Sequence, residues 1–153
     1  MKRIIGSLIL LVCVTTLSAQ LSMQKKEGGM LITENGENVL FYQSEPKSKD
    51  GTYERCNYIH PLWGVDGSVL TEDFPADHLH HRGVFWTWHQ VWIGEKRIGD
   101  PWEIKDFEQE VVDVEFKAQK SGVAVLKTEV EWNQNNGKKW VKKFHTSKKI
   151  LPF

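Results

Sequence analysis

The sequence has very little cysteine: among its 153 residues only Cys13 and Cys56 are cysteines. Cys13 lies inside the apolar run at the N-terminus, so the rest of the chain keeps one thiol and has no intramolecular disulfide to form. We expect Cys56 to be a buried and unreactive side chain, because free cysteines are among the most buried residues in proteins.

Several signatures of known chemistry are absent as well. The sequence has no glycine-rich phosphate loop, no paired-cysteine metal motif and no serine in a nucleophile-elbow pattern. It also has no internal repeat, no low-complexity tract and, beyond the N-terminal region, no amphipathic helical pattern. These absences give no support to phosphate-loop nucleotide binding or to nucleophilic hydrolysis, and no motif indicates a cofactor.

The N-terminus has the three parts of a secretory signal peptide. Lys2 and Arg3 precede an apolar stretch over residues 4–17, and Ala19 closes a small-residue cleavage site. The apolar stretch is shorter than the roughly 20 residues of a transmembrane helix. Lipidation at Cys13 is disfavoured because the valine before it stands where a small residue is wanted. We therefore expect residues 1–19 to be a signal peptide and the protein to be periplasmic or secreted, without a membrane span.

The formal charge of the chain indicates which partners are disfavoured. Removal of residues 1–19 takes away Lys2 and Arg3 and no acidic residue, so the 20 basic residues fall to 18 against 20 acidic ones, a formal charge of −2. Nucleic acids and anionic membranes attract proteins of the opposite sign. We therefore expect no nucleic-acid partner.

Two glycine turns predict β-hairpins. Asn35-Gly36 separates two short apolar segments and is typical of a type I′ hairpin turn. Asp66-Gly67 predicts a second hairpin in the same way.

A period of two residues marks the second half of the chain. Residues 111–117 alternate, with Val112, Val114 and Phe116 on one face, and residues 124–132 form a second alternating segment. This pattern predicts an all-β fold, an antiparallel β-sandwich.

Two segments depart from simple alternation. Residues 83–93 carry bulky side chains on both parities, which is typical of a strand covered on both faces or of a strand with a site on one face. Lysine-rich residues close the chain, and we expect the folded domain to span 20–144 and residues 145–153 to form an irregular tail.

Residues 71–83 concentrate the reactive side chains. They hold Asp77, His80 and His81, and imidazoles beside a carboxylate exchange protons near neutral pH. These three are the candidate catalytic residues.

The next residues predict a binding surface. Arg82 carries a planar donor fork suited to an anionic or hydroxyl-rich substrate, and Trp86 and Trp88 offer apolar faces for a sugar ring. On an extended path His80, Arg82 and both tryptophans share one face. The predicted partner is a small-molecule or oligosaccharide ligand.

Three interpretations stay open for these residues. The first is acid–base catalysis on a carbohydrate, and the second is a non-catalytic carbohydrate-binding module. The third is a metal site, for which His78, His80 and His60 are the candidate ligands. Histidines that merely satisfy loop carbonyls and tryptophans that fill a core are the structural alternative to all three.

Several uncommon clusters together resemble one family. They are YIHPL at 58–62, DFPADHLHHRG at 73–83, WTWHQ at 86–90 and GDPWE at 99–103. In this order they resemble the PmoA-like family of exported bacterial proteins, also labelled methane oxygenase PmoA, over residues 29–132.

The resemblance implies a large β-sandwich like that of galactose-mutarotase-type proteins. Family members are longer, so the resemblance implies that this chain is a truncated form that holds only the N-terminal half of that sandwich. The family is common in bacteria that degrade polysaccharides, which implies work on carbohydrates. Methane oxidation is not expected, because the enzyme of that name is embedded in the membrane and this chain has no predicted span.

The signal-peptide interpretation predicts where the mature protein begins. Because Ala19 ends the small-residue site, protein recovered outside the cytoplasm is expected to start at Gln20. N-terminal sequencing or intact mass of the exported protein measures this. An exported product that retains Met1 would contradict the prediction.

Overall fold

The structure, a computed structural model, describes residues 20–133 and 143–150. Within these ranges the chain is all β and holds no helix, so no apolar helix of membrane-spanning length occurs there. The strands are β1 (Leu21–Lys26), β2 (Gly29–Glu34), β3 (Glu37–Gln43), β4 (Lys47–Lys49), β5 (Thr52–Arg55), β6 (Tyr58–Leu62), β7 (Val84–Phe85), β8 (Val91–Ile93), β9 (Lys96–Gly99), β10 (Glu108–Ala118), β11 (Ala124–Asn133) and β12 (Lys143–Ile150).

Two antiparallel sheets make up most of the fold. One sheet has the strand order β1-β2-β3-β6-β7 and the other has the order β10-β11-β12. The pairs β4–β5 and β8–β9 form two separate small hairpins.

The core lies between the two sheets. Buried side chains from both sheets form one cluster: Leu21, Ile32, Val39, Leu40, Tyr42, Ala124, Leu126 and Ile150. Each large apolar side chain buried in this way contributes about 1.5–3 kcal/mol. The predicted all-β, sandwich-like fold is confirmed.

The Asn35-Gly36 turn joins β2 to β3 as the sequence predicts. Asn35 and Gly36 have φ angles of 50° and 94°, the left-handed pair that a type I′ turn requires. The Asp66-Gly67 turn does not join two regular strands, because only a single bridge, between Trp63 and Val69, flanks it.

A β-bulge changes which valine of β10 faces the core. The pairing of β10 with β11 shifts register between Val111 and Asp113, and the extra residue reverses the alternation. Val112 is 41% exposed, while Val111, Val114 and Phe116 pack against the core. The expectation that Val112 shares a face with Val114 and Phe116 is therefore wrong.

The lysine-rich end of the chain forms a strand. Residues 143–150 pair with β11, from Glu131↔Lys143 to Ala124↔Ile150. The expectation of an irregular tail from residue 145 is wrong as far as residue 150, because strand pairing uses backbone groups that every residue type carries except proline. Residues 1–19 and 151–153 lie outside the described residues.

The tryptophan-rich segment is not one continuous strand. β7 ends at Phe85 and β8 begins at Val91, and residues 86–90 pair with no strand. Gln90 has a φ of 60°, a left-handed conformation that interrupts extended backbone. The expectation of a continuous strand over residues 83–93 is therefore wrong, and Trp86 and Trp88 are exposed.

Cys56 is buried, as the sequence predicts. Its side chain is 1% exposed, and its Sγ lies 3.1 Å from the carbonyl oxygen of Gln109. Burial raises the pKa of the Cys56 thiol to about 11. The group is therefore a thiol at neutral pH, which is the unreactive form.

Candidate functional site

The loop from Asp73 to Arg82, here called the histidine loop, closes on itself. Asp73 and Arg82 pair through a β-bridge at its base, and the His81 amide donates to the His78 carbonyl at 2.8 Å. Gly83 follows with a φ of 52°, and a Cβ added there would lie 2.1 Å from the Ile59 carbonyl oxygen. Only glycine lets the chain pass this close to β6.

Arg82 is fully buried beneath this loop, with 0% of its surface exposed. Its Nε donates to Asp73 Oδ1 at 2.5 Å. Its Nη1 donates to the carbonyls of Lys47 at 3.0 Å and Tyr53 at 2.8 Å. Its Nη2 donates to the Tyr58 hydroxyl at 2.5 Å. Each nitrogen of the guanidinium thus has a partner.

Aromatic rings and a second cation complete this buried site. The guanidinium lies 3.6 Å from the Phe74 ring centroid and 4.6 Å from that of Tyr58. Lys47 Nζ donates to the other oxygen of Asp73 at 2.7 Å. Burial alone would raise the pKa of Asp73, but the hydrogen bonds from Arg82 and Lys47 hold it below its ordinary value. Asp73 is therefore ionised at neutral pH.

The position of Arg82 differs from the extended-path expectation. Arg82 is buried, whereas Trp86 and Trp88 are 49% and 44% exposed. The left-handed backbone at Gly83 breaks the alternation between them. The expectation that Arg82 and the tryptophans share one face is wrong.

The loop brings three imidazoles together. The rings of His78 and His81 stack with centroids 4.8 Å apart and planes within 9°. His80 meets His81 edge-on at 4.5 Å and lies 5.9 Å from His78. His78 is exposed, whereas His80 and His81 are half-buried. The two histidines predicted to handle protons are thus neighbours.

The surroundings of His80 lower the pKa of its imidazole. Burial lowers the pKa of His80, and the His81 and His78 rings lower it further, while Glu103 acts in the opposite direction and Arg55 in the same one. His80 is thereby favoured in its neutral, proton-accepting form.

Asp77 pairs with His78 rather than with His80. Its Oδ2 lies 3.1 Å from His78 Nδ1, and its side chain is 79% exposed. This hydrogen bond holds the pKa of Asp77 below its ordinary value.

Trp102 connects the histidines to the tryptophan-rich segment. Its ring lies 5.4 Å from that of His81 and 6.4 Å from that of His80. Its backbone amide donates to the Trp88 carbonyl at 3.1 Å. Trp86 and Trp88 contact each other at 4.6 Å with planes tilted by 56°. We call Trp86, Trp88 and Trp102 the tryptophan surface.

A second buried arginine lies behind Trp102. Arg55 Nη2 donates to the carbonyls of Pro101 at 2.5 Å and Trp102 at 3.1 Å. Its guanidinium also lies 4.6 Å from the Phe85 ring centroid. Burial lowers the pKa of Arg55 to about 10, so the side chain is still a cation at neutral pH. The loop with Trp102 is thus fixed to β5.

The predicted histidine metal set is not assembled. His60 Nδ1 lies 3.0 Å from the Thr71 hydroxyl. Among the described residues, the one group of three potential ligands with donor atoms within 4.8 Å of one another is His89, Asp100 and Glu103. The alternative set of His60, His78 and His80 is therefore not supported.

Sequence reasoning missed Trp102, Arg55 and the carboxylates near His89. The sequence pattern that could have pointed to them is the uncommon string GDPWE at 99–103. Nothing in the spacing shows that this string folds against the histidine loop.

Comparison with known proteins yields one match. The sequence model of a family of unknown function, DUF6807, matches residues 30–148. This span is well over half of the chain and includes the histidine loop and the tryptophan surface. No curated protein and no solved structure matches the chain.

The lowered pKa values of His60 and His80 predict how stability depends on pH. Burial is the largest cause for both. Below an ordinary histidine pKa of about 6.5 the unfolded chain binds protons that the folded chain resists, so the free energy of unfolding falls as pH falls. Urea unfolding between pH 7.5 and 5 measures this. H60Q and H80Q are each expected to flatten the dependence, and an unchanged slope in both would contradict the assignment.

Proposed function

The chain belongs to the DUF6807 family, and we propose that this member is an exported protein that binds a carbohydrate on its tryptophan surface and acts on it by acid–base chemistry at the histidine loop. The observation that carries the proposal is the contact of His80 and His81 with Trp102, whose backbone is hydrogen-bonded to Trp88. Proton-handling groups and exposed indoles are thereby neighbours.

The exposure of the indoles supports a ligand. Trp86, Trp88 and Trp102 are 49%, 44% and 38% exposed. Apolar groups that lie together at a surface commonly mark a binding site. A sugar ring has C–H groups on its faces and hydroxyls at its rim, so it stacks on an indole while its rim stays hydrated. The tilt of 56° between Trp86 and Trp88 suits two successive units of a chain better than one flat ring.

The histidine loop supplies side chains to which different roles in proton transfer are assigned. His80 is half-buried and favoured as a neutral base, so it is the group assigned to accept a proton from a sugar oxygen. His81 meets it edge-on and is the candidate to hand a proton on. Asp77 acts through His78, to which it is bonded, and is a positioning residue in this proposal.

Arg82 takes a different role from the one its sequence position suggests. Its guanidinium is enclosed and fully engaged, so it positions the histidine loop instead of the sugar. This role is consistent with its place at the base of the loop, next to Gly83.

A non-catalytic binding module is the second candidate. The observation that favours it is the exposure of the indoles of Trp86, Trp88 and Trp102, which would bind a sugar without any histidine. A module of this kind needs no proton transfer.

The test separates binding from turnover. Oligosaccharides of different linkage are titrated by calorimetry into wild type, W86A, W88A and L70A, the last being a control at a 62% exposed apolar residue on another turn. Loss of one stacking indole is expected to weaken binding about tenfold, equivalent to ~1.4 kcal/mol. L70A is expected to bind like wild type. Unchanged affinity in both tryptophan variants, or no binding by wild type, would contradict the proposal.

Turnover is then measured on the bound sugars. We expect H80Q to keep its affinity and to lose roughly a hundredfold or more of the rate, because general acid–base catalysis contributes that much. The wild-type rate is expected to fall as pH falls below the lowered pKa of His80, since the neutral imidazole is the active form. Binding without turnover in wild type would identify the binding module instead.

A further inference from the structure

We propose that His89, Asp100 and Glu103 form a binding site for one divalent transition-metal ion of the zinc class. The donor atoms of these three side chains all lie within 4.8 Å of one another. His89 Nδ1 is 2.9 Å from Asp100 Oδ2. One imidazole and two carboxylates are the ligand types of open zinc sites, which keep a coordination position for water or substrate.

The spacing suits a single small ion. Zinc ligands lie about 2.0–2.2 Å from the metal, so donors around one tetrahedral ion are separated by roughly 3.3–3.6 Å. His89 Nδ1 and Asp100 Oδ2 are now at a hydrogen-bond distance of 2.9 Å, so the imidazole has to move back by only about 0.5 Å to share an ion with the carboxylate. Glu103 and His89 have side chains that are 36% and 59% exposed, so they are able to adjust around the ion.

Asp100 provides a fixed, charged centre. Its side chain is only 2% exposed, and its Oδ1 accepts the Glu103 amide at 3.1 Å. A buried carboxylate needs compensating charge, and the Arg97 guanidinium supplies part of it, with Nη2 3.9 Å from Asp100 Oδ2. The backbone of Gln90 and Trp102 also hydrogen-bonds to this carboxylate, and its Oδ2 faces the exposed His89 at 2.9 Å.

Backbone pairing holds the three ligands in place. Val91 pairs with Gly99 in the β8–β9 hairpin, which brings the segment that carries His89 close to the segment that carries Asp100. A bridge between Asp100 and Lys105 closes the short loop that carries Glu103.

Two mobile cations compete for the carboxylates. Lys105 Nζ pairs with Glu103, and its side chain is 65% exposed. Arg97 is 39% exposed. Exposed ion pairs of this kind contribute about 0–1 kcal/mol, so a metal ion displaces them at little cost. The imidazole favours zinc-class ions over calcium or magnesium, which take oxygen ligands.

The site borders the tryptophan surface without depending on its function. Trp88 precedes His89, and Trp102 lies between Asp100 and Glu103. Metal binding is measured without any sugar, so a failure of the carbohydrate proposal leaves this inference standing, and the reverse also holds.

The experiment is a titration of chelator-treated protein with Zn²⁺ alone, followed by calorimetry, with Ca²⁺ as the comparison ion. Wild type is expected to bind one Zn²⁺ per chain and to bind Ca²⁺ far more weakly. H89Q and E103Q each remove one exposed ligand and are expected to weaken Zn²⁺ binding about tenfold or more. D106N removes a neighbouring exposed carboxylate and H78Q removes a histidine of the other cluster, and both are expected to bind like wild type.

The Tm with and without Zn²⁺ is a second measurement of binding, and it separates loss of the site from misfolding of a variant. Zn²⁺ is expected to raise the Tm of wild type, D106N and H78Q, and to raise that of H89Q and E103Q less, because only a bound ion stabilises the folded chain. Far-UV circular dichroism establishes that each variant is folded before titration. The proposal is overturned if wild type binds no Zn²⁺, or if H78Q loses binding while H89Q and E103Q retain it.

Discussion

A single buried guanidinium organises the candidate site. Arg82 is enclosed completely and donates to Asp73, Tyr58 and the carbonyls of Lys47 and Tyr53. Removing a charge from water costs several kcal/mol unless partners compensate. The segments that carry Lys47, Tyr53, Tyr58 and Asp73 supply these partners only when they surround Arg82 as they do here. The need to pair the buried guanidinium therefore holds these segments together.

The buried arginines also fix loops at the surface. Asp73 and Arg82 form the base of the histidine loop, so fixing them fixes the three imidazoles between them. Arg55 does the same for the loop with Trp102 by bonding two of its carbonyls. The two arginines therefore bring a histidine cluster and an indole into contact, and the proposed acid–base function needs rigid support of this kind.

The regular parts of the fold were predictable from local rules. The Asn35-Gly36 turn and the alternation of β11 depend on residues close in the chain. The bulge near Val112 was not predictable, because register depends on the partner strand. The prediction placed Arg82 on the same face as His80 and the tryptophans because alternate residues of an extended path share a face. Its burial depends on acceptors as far away in the sequence as Lys47. The histidine cluster could be identified in the sequence, whereas its contact with Trp102 is a tertiary contact that the sequence does not show.

The measurement that tests this account most directly is amide hydrogen exchange in wild type and R82K. Lysine keeps the charge but lacks the planar fork that reaches several acceptors at once. The amides of His81 and Gly83, which are hydrogen-bonded to the His78 and Glu72 carbonyls, are predicted to lose protection by about tenfold or more in R82K. The amide of Ile32, in the paired core of the larger sheet, is predicted to keep its protection. Equal protection of the histidine loop in both proteins would contradict the claim that Arg82 holds it.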